Sequence, residues 1–185
     1  MRALAPILIL CAACVDRGVT PPRRAAADSA DQVYDTMTFS ITRNGVAVSR
    51  VKAESAWVYQ QRQVADLKNM TVTFFDTTGA TISTVTADKG IYGMRQQTLD
   101  ARGHVVATSS GGKVLKTEHL VYDQQRNLIS SDTLFTSTSP QGTLNGSWFE
   151  SDPSFKTLTV NRPRGGQRGK GFLLPGQHDE GARKP

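Results

Sequence analysis

Apolar and polar residues alternate along much of this chain, and a period of two is typical of half-buried β-strands. In the segment 37–42, methionine, phenylalanine and isoleucine are each followed by a threonine or serine, and the segment 70–74 repeats the pattern. Threonine, valine, isoleucine and aromatic residues, which favour strands, are frequent. Because no stretch between residues 31 and 160 has the period and length of an amphipathic helix, we predict an all-β fold.

Turn-forming residues interrupt the alternation at short intervals. The signals, in chain order, are Asn44-Gly45, 76–79, Arg102-Gly103, Gly111-Gly112 and 140–142, and we also interpret the polar stretch 60–63 as a turn. Asn-Gly is the strongest two-residue hairpin signal. Short strands separated by closely spaced turns predict a sandwich, roll or barrel of antiparallel strands.

A short phrase recurs along the chain. It reads Ala53-Glu54-Ser55-Ala56-Trp57-Val58-Tyr59 at its first occurrence and returns at 87–92 and 117–122, with a degenerate fourth copy starting at Ser151. The starts lie about 34, 30 and 34 residues apart, a spacing typical of repeated supersecondary units. Because one such unit cannot bury its apolar face alone, the copies are predicted to stack into one continuous β structure.

The first residues predict export. The apolar run 3–13 has the length of a signal-peptide core and is too short to cross a bilayer. Ala12 and Ala13 precede Cys14, which resembles the bacterial lipoprotein signal, where the cysteine carries the lipid and becomes the new N-terminus. We predict a signal peptide at 1–13 and lipid attachment at Cys14. An ordinary cleaved secretion signal is the alternative.

The basic charge is concentrated at the end of the chain. The net charge is +6, but residues 31–160 carry twelve Lys or Arg and twelve Asp or Glu, whereas residues 161–185 carry a net +4. We therefore predict a flexible linker at 14–30, one folded domain at 31–160 and a disordered basic tail at 161–185. No nucleic-acid partner is expected, because the domain lacks a basic stripe with aromatic partners. The three histidines have no metal-ligand spacing, so neither a metal nor a cofactor is predicted.

Three acids recur with the repeated phrase, one in each copy: Glu54, Asp88 and Glu118. A row of carboxylates suits a polysaccharide-active enzyme built from β repeats. The simpler interpretation is that the acids lie at strand starts beside turns, solvated or paired with lysines. The partners this interpretation names are Lys52, Lys89 and Lys116. No nucleophile elbow or phosphate-binding glycine loop is present, and we predict that the protein is not an enzyme.

Several phrases of the domain together resemble the LptC family. They are the Ala-Glu-x-Ala-x-x-Tyr opening at 53–59, the hairpin 72–79, the segments 99–106 and 115–123, and the closing stretches 142–149 and 158–160. This family is the periplasmic component of the lipopolysaccharide export system and belongs to the OstA-like β-jellyroll group. Familiar members are held by an N-terminal membrane helix, whereas a lipid is predicted here.

The resemblance implies a twisted, V-shaped antiparallel β-jellyroll whose apolar groove holds the acyl chains of the lipid A part of lipopolysaccharide. The candidate inward positions are Val72, Phe74, Val106, Leu115, Leu120 and Tyr122. From the residues alone, an ordinary packed core is favoured over a ligand groove. The resemblance reverses that order.

The resemblance also implies partners and a location. The chain is expected in the periplasm, anchored to the inner membrane, receiving lipid from an inner-membrane ABC transporter complex and passing it to a periplasmic OstA-like bridge protein. Edge strands are expected to make these contacts. Met37, Phe39 and Ile41 are the candidates on the first strand, which is expected to face the periplasmic domain of the transporter. Phe155, Leu158 and Val160 are the candidates around the last strand, which is expected to face the bridge protein. Another lipid-carrying lipoprotein and the soluble bridge component are the alternatives.

Overall fold

The computed structural model describes residues 29–161 and 164–167, and within them every ladder is antiparallel. The all-β prediction is confirmed. The strands are β1 Gln32–Tyr34, β2 Met37–Arg43, β3 Val46–Tyr59, β4 Val64–Phe75, β5 Thr81–Gly93, β6 Thr98–Ser109, β7 Val114–Asp123, β8 Leu128–Ser131, β9 Phe135–Ser139, β10 Gly142–Gly146, β11 Trp148–Ser151, β12 Leu158–Asn161 and β13 Arg164–Gln167.

Five long strands, β3 to β7, form the centre of one open sheet that folds over on itself. Each of them crosses a corner near its middle, so its two halves belong to two facing layers. Leaf 1 contains the halves 46–53, 70–75, 81–87, 105–109 and 114–117, together with β2, β9, β10 and β13. Leaf 2 contains the halves 56–59, 64–67, 90–93, 98–101 and 120–123, together with β1, β8, β11 and β12. The side opposite the corner, where the hairpin turns lie, is here called the mouth.

The corner is visible as a slip in the alternation of buried residues. On β3 the odd-numbered Val51 and Ala53 are buried, whereas after the corner the even-numbered Ala56 and Val58 are buried. The same slip occurs on β4, β5 and β7, whereas on β6 three residues separate the two buried runs and both runs are odd-numbered. Two consecutive outward residues reverse the inward face of a strand, so both halves can face one core across the fold.

The repeated phrase therefore marks the corner. Its acid is the first residue after the buried run of leaf 1, and its apolar residues belong to leaf 2. As expected, the three copies lie in one continuous sheet. They occupy alternate strands, β3, β5 and β7, and do not form separate stacked units. The degenerate fourth copy differs, because Ser151 ends β11 and Asp152 begins a turn.

A bulge on β6 forms part of the corner and corrects one turn prediction. Arg102-Gly103 does not end a strand but lies within β6, where the registers to β5 and β7 both shift. Gly103 has φ 75° and His104 has φ 43°. The backbone angle at Gly103 favours glycine, and a Cβ there would lie 2.8 Å from Oδ2 of Asp88 and displace that side chain. The other predicted turns are confirmed as connections between consecutive strands.

The outer strands separate at the corner. β1 pairs with the leaf 2 half of β3 and β2 with its leaf 1 half, and β8 and β9 divide β7 in the same way. At the second separation the Thr117 hydroxyl lies 2.8 Å from that of Thr133 and donates to the Leu134 carbonyl at 3.0 Å. Hydroxyl groups thus replace the missing ladder at this point.

The folded region extends further than the sequence predicted. β12 runs to Asn161, and residues 164–167 form β13 against β10, so a domain boundary at 160 is too early. The predicted signal, Cys14 and nearly all of the predicted linker lie outside the described residues, as does the tail beyond 167. Within the described part of the chain, no helix has the length and apolarity needed to span a membrane.

Candidate functional site

The space between the two leaves is the candidate site. Five of the six predicted inward residues face it and are almost inaccessible to solvent, each with 1–2 % of its surface exposed. They are Val72, Phe74, Leu115, Leu120 and Tyr122. They come from both leaves and belong to a single apolar cluster.

Val106 does not face the interior, and this prediction is wrong. Because the bulge on β6 inserts an extra residue, Val105 is buried instead and Val106 is half-buried on the outer side. The sequence signal for this bulge is Gly103, which the sequence pattern assigns with Arg102 to a turn.

Three aromatic pairs join the leaves across the interior. Phe74 of leaf 1 meets Tyr122 of leaf 2 edge to face, with ring centroids 4.8 Å apart. The centroids of Phe39 and Tyr92 and those of Phe135 and Phe149 are 5.0 Å apart in each pair. Burial raises the pKa of the Tyr122 phenol. Such contacts contribute about 0.5–1.5 kcal/mol each beyond their buried area. Because the rings of the two leaves touch, the interior is closed in this structure.

Polar contacts close the mouth. Nη2 of Arg43, at the end of β2, donates to the Gln124 carbonyl of leaf 2 at 2.6 Å. Nζ of Lys113, in the leaf 1 turn before β7, donates to the Phe155 carbonyl at 2.6 Å. The Ser83 hydroxyl donates to the Pro153 carbonyl. Each bond connects the rim of leaf 1 to the rim of leaf 2.

The loop 152–157 between β11 and β12 carries two of the carbonyl groups that close the mouth, those of Pro153 and Phe155. Phe155 is buried in the core cluster and has φ 55°, an unfavourable backbone angle for a bulky residue. Asp152 holds the loop by accepting from the Ser154 and Thr157 amides at 2.9 and 3.1 Å. Burial disfavours the charged carboxylate, but these bonds and the Ser154 hydroxyl outweigh it and lower the pKa of Asp152.

The recurring acids lie at the corner, outside the candidate site. They stand in the middle of strands rather than at strand starts, which corrects the sequence interpretation. Glu54 pairs with Lys68 at 3.1 Å, and Asp88 pairs with Nδ1 of His104 at 2.6 Å, so the predicted lysine partners for these two are also wrong. The hydrogen bond that the Asp88 carboxylate accepts from the His104 ring raises the pKa of His104. Glu54 and Asp88 thus form exposed pairs with basic side chains, which is a structural role.

A cavity of about 760 Å³ lies on the outer side of leaf 1 beside the corner. Val106 and Leu134 contribute apolar surface, but His104, Lys116 and Glu118 also line it. Burying an acyl chain there would desolvate charged groups, which is unfavourable. The interior between the leaves is chemically better suited to hydrocarbon.

The outermost strands carry the residues predicted for partner contacts. Ile41 is buried, and Met37 and Phe39 pack against the core from β2. Leu158 and Val160 do the same from β12. Among the described residues, β2 and β12 each have a ladder on one side only. Two details differ from the prediction: β1 precedes β2, and Phe155 is buried in the loop rather than beside the edge.

Comparison with known proteins agrees with this architecture. Residues 4–161 match the family described as lipopolysaccharide-assembly, LptC-related. LptH from Pseudomonas aeruginosa, the LptA-homologous periplasmic component of the lipopolysaccharide transport device, has a similar crystal structure with a TM-score of 0.51. The two chains are 15% identical over 66% of this chain and 95% of LptH, so this likeness concerns the fold. No curated protein matches. From the family match over most of its length, this chain belongs to the LptC-related family of lipopolysaccharide assembly.

Proposed function

We propose that this protein receives lipopolysaccharide from an inner-membrane ABC transporter and passes it to a periplasmic bridge protein, holding the acyl chains between its two leaves. The observation that carries the proposal is the single apolar cluster formed by residues of both leaves. The family match connects that cluster with lipopolysaccharide assembly. The leaves join at the corner by continuous strands and at the mouth by few polar contacts, so the mouth is the side that opens. No covalent chemistry is required of this chain.

Lipid binding tests the proposal. The purified full-length chain should bind fluorescently labelled lipopolysaccharide, and unlabelled lipopolysaccharide should compete with it. The matched control is the polysaccharide released from its lipid, which should not compete because the interior offers hydrocarbon contacts and few polar ones. Competition by the lipid-free polysaccharide at equal concentration would show that the sugar is recognised and would contradict an acyl-chain site.

Membrane anchoring through Cys14 is a second part of the proposal. It is supported by the small residues Ala12 and Ala13 before the cysteine and by the short apolar run that precedes them. Cys14→Ala should abolish incorporation of radiolabelled palmitate into the chain in cells. Cys11→Ala is the control and should retain the label. Undiminished labelling of Cys14→Ala would contradict lipid attachment at this position.

A further inference from the structure

Three serines face the interior at the mouth of leaf 1, where an apolar side chain is expected. Ser49 on β3 lies opposite Phe74 on β4, Phe74 lies opposite Ser83 on β5, and Ser83 lies opposite Ser109 on β6. All three serines are at least nine-tenths buried. The next inward row, closer to the corner, has the apolar Val51, Val72, Val85 and Ala107 in the corresponding places.

The hydroxyl of Ser49 has no hydrogen-bond partner among the described residues, although the side chain is completely buried. A buried hydroxyl without a partner is destabilising, and native proteins rarely retain one without a reason. The Ser83 hydroxyl does have a partner, the carbonyl oxygen of Pro153 in the closing loop. The Ser109 hydroxyl accepts from the Lys113 amide at 3.1 Å and keeps its own proton available for donation.

We propose that Ser49, Ser83 and Ser109 form a hydroxyl collar that binds the ester or amide carbonyl oxygens joining the acyl chains of the ligand to its head group. The proposal rests on the proposed lipid-binding function and defines how deep the ligand lies. Acyl chains occupy the apolar rows below the collar, and the sugar stays outside the mouth. The Pro153 carbonyl stands in for a ligand carbonyl in the closed state, so loop 152–157 moves aside when the ligand enters.

The collar is tested with two probes on the full-length chain. Labelled lipopolysaccharide contains the carbonyl linkages, whereas diphenylhexatriene is a hydrocarbon without any hydrogen-bonding group. Ser49→Ala and Ser83→Ala should each weaken lipopolysaccharide binding by about three- to tenfold, the effect of one lost hydrogen bond. Both variants should bind diphenylhexatriene as the unchanged protein does. Ser40→Ala, on the solvent side of β2, is the matched control and should alter neither.

Thermal unfolding separates this role from a structural one. Because Ser49→Ala removes an unpartnered buried hydroxyl, its Tm should equal or exceed that of the unchanged protein. Equal lipopolysaccharide affinity in the serine variants would overturn the collar and leave the lipid-binding function standing. A parallel loss for both probes would also overturn it, because the whole interior would then be disturbed. If the unchanged protein binds no lipopolysaccharide, the proposed function fails and the collar fails with it.

Discussion

Replacing Phe74 with alanine is expected to lower the free energy of unfolding by about 3–5 kcal/mol, the range for deleting a buried phenylalanine side chain. Phe74 is 2 % exposed and meets Tyr122 of the opposite leaf, so the substitution leaves a cavity at the contact that joins the leaves. The chain has no disulfide in the described region to compensate, because both cysteines precede residue 15. Urea unfolding followed by tryptophan fluorescence measures the change.

The neighbouring Phe75 provides a matched control. It is the same residue type on the same strand, but it lies on the outer side, where the Arg50 guanidinium carbon is 5.4 Å from its ring centroid. Phe75→Ala should cost about 1 kcal/mol or less, as expected for an exposed cation–π contact. Equal losses in the two variants would show that the interior is not the principal source of stability.

Proline in β12 is expected to weaken binding of the bridge protein strongly, whereas residues 168–185 should be dispensable for it. Successive residues of an edge strand direct their N–H groups alternately to the neighbouring strand and to the free edge. Of Leu158→Pro and Thr159→Pro, one therefore removes a bond to β11 and the other removes a donor at the free edge. Both should weaken bridge binding by about tenfold or more, because strand addition depends on main-chain hydrogen bonds.

Binding of the purified bridge protein by calorimetry measures this effect, and circular dichroism checks that each variant is folded. Thr159→Val retains the backbone N–H group and should bind normally. Deleting residues 168–185 should also leave binding intact, and this deletion spares β13, which a cut after Val160 would remove. Normal binding by both folded proline variants would show that the bridge contacts lie elsewhere.

The sequence predicted the parts of this fold that depend on local pattern. Alternation identified the strands, and it placed Phe74 and Tyr122 correctly because each lies in an uninterrupted alternating run. The prediction failed at Val106, where the bulge at Gly103 adds a residue at the corner of β6 and the strand continues through it. A glycine followed by a polar residue is compatible with both structures, and only the register of the neighbouring strands decides between them.

The closure of the mouth could not be predicted from the sequence. The bond from Arg43 to Gln124 connects residues 81 positions apart, and that from Ser83 to Pro153 connects residues 70 positions apart. Neither pair shares a motif, and both depend on the twist that brings the two rims together. The inward serines could not be predicted either, because a serine in an alternating run is usually interpreted as an outward residue.

The contact energies favour opening of the mouth when a lipid is present. Separating the two rims breaks hydrogen bonds that contribute about 0.5–1.5 kcal/mol each, or about 1.5–3 kcal/mol with a charged donor. Burying an acyl chain of about twelve methylenes contributes about 10 kcal/mol, at about 0.8 kcal/mol for each methylene. One chain can therefore offset the loss of the hydrogen bonds across the mouth. Without lipid, the same contacts and the three aromatic pairs keep the apolar faces away from water.

Photo-crosslinking in cells tests most directly whether the interior carries lipid. Benzoylphenylalanine placed at Phe74 or at Phe75 differs only in the face of β4 from which it projects, and both sites already hold an aromatic residue. We expect a lipopolysaccharide adduct on irradiation from position 74 and none from position 75. Adducts of equal yield at both positions, or none at position 74 in cells exporting lipopolysaccharide, would contradict lipid binding between the leaves.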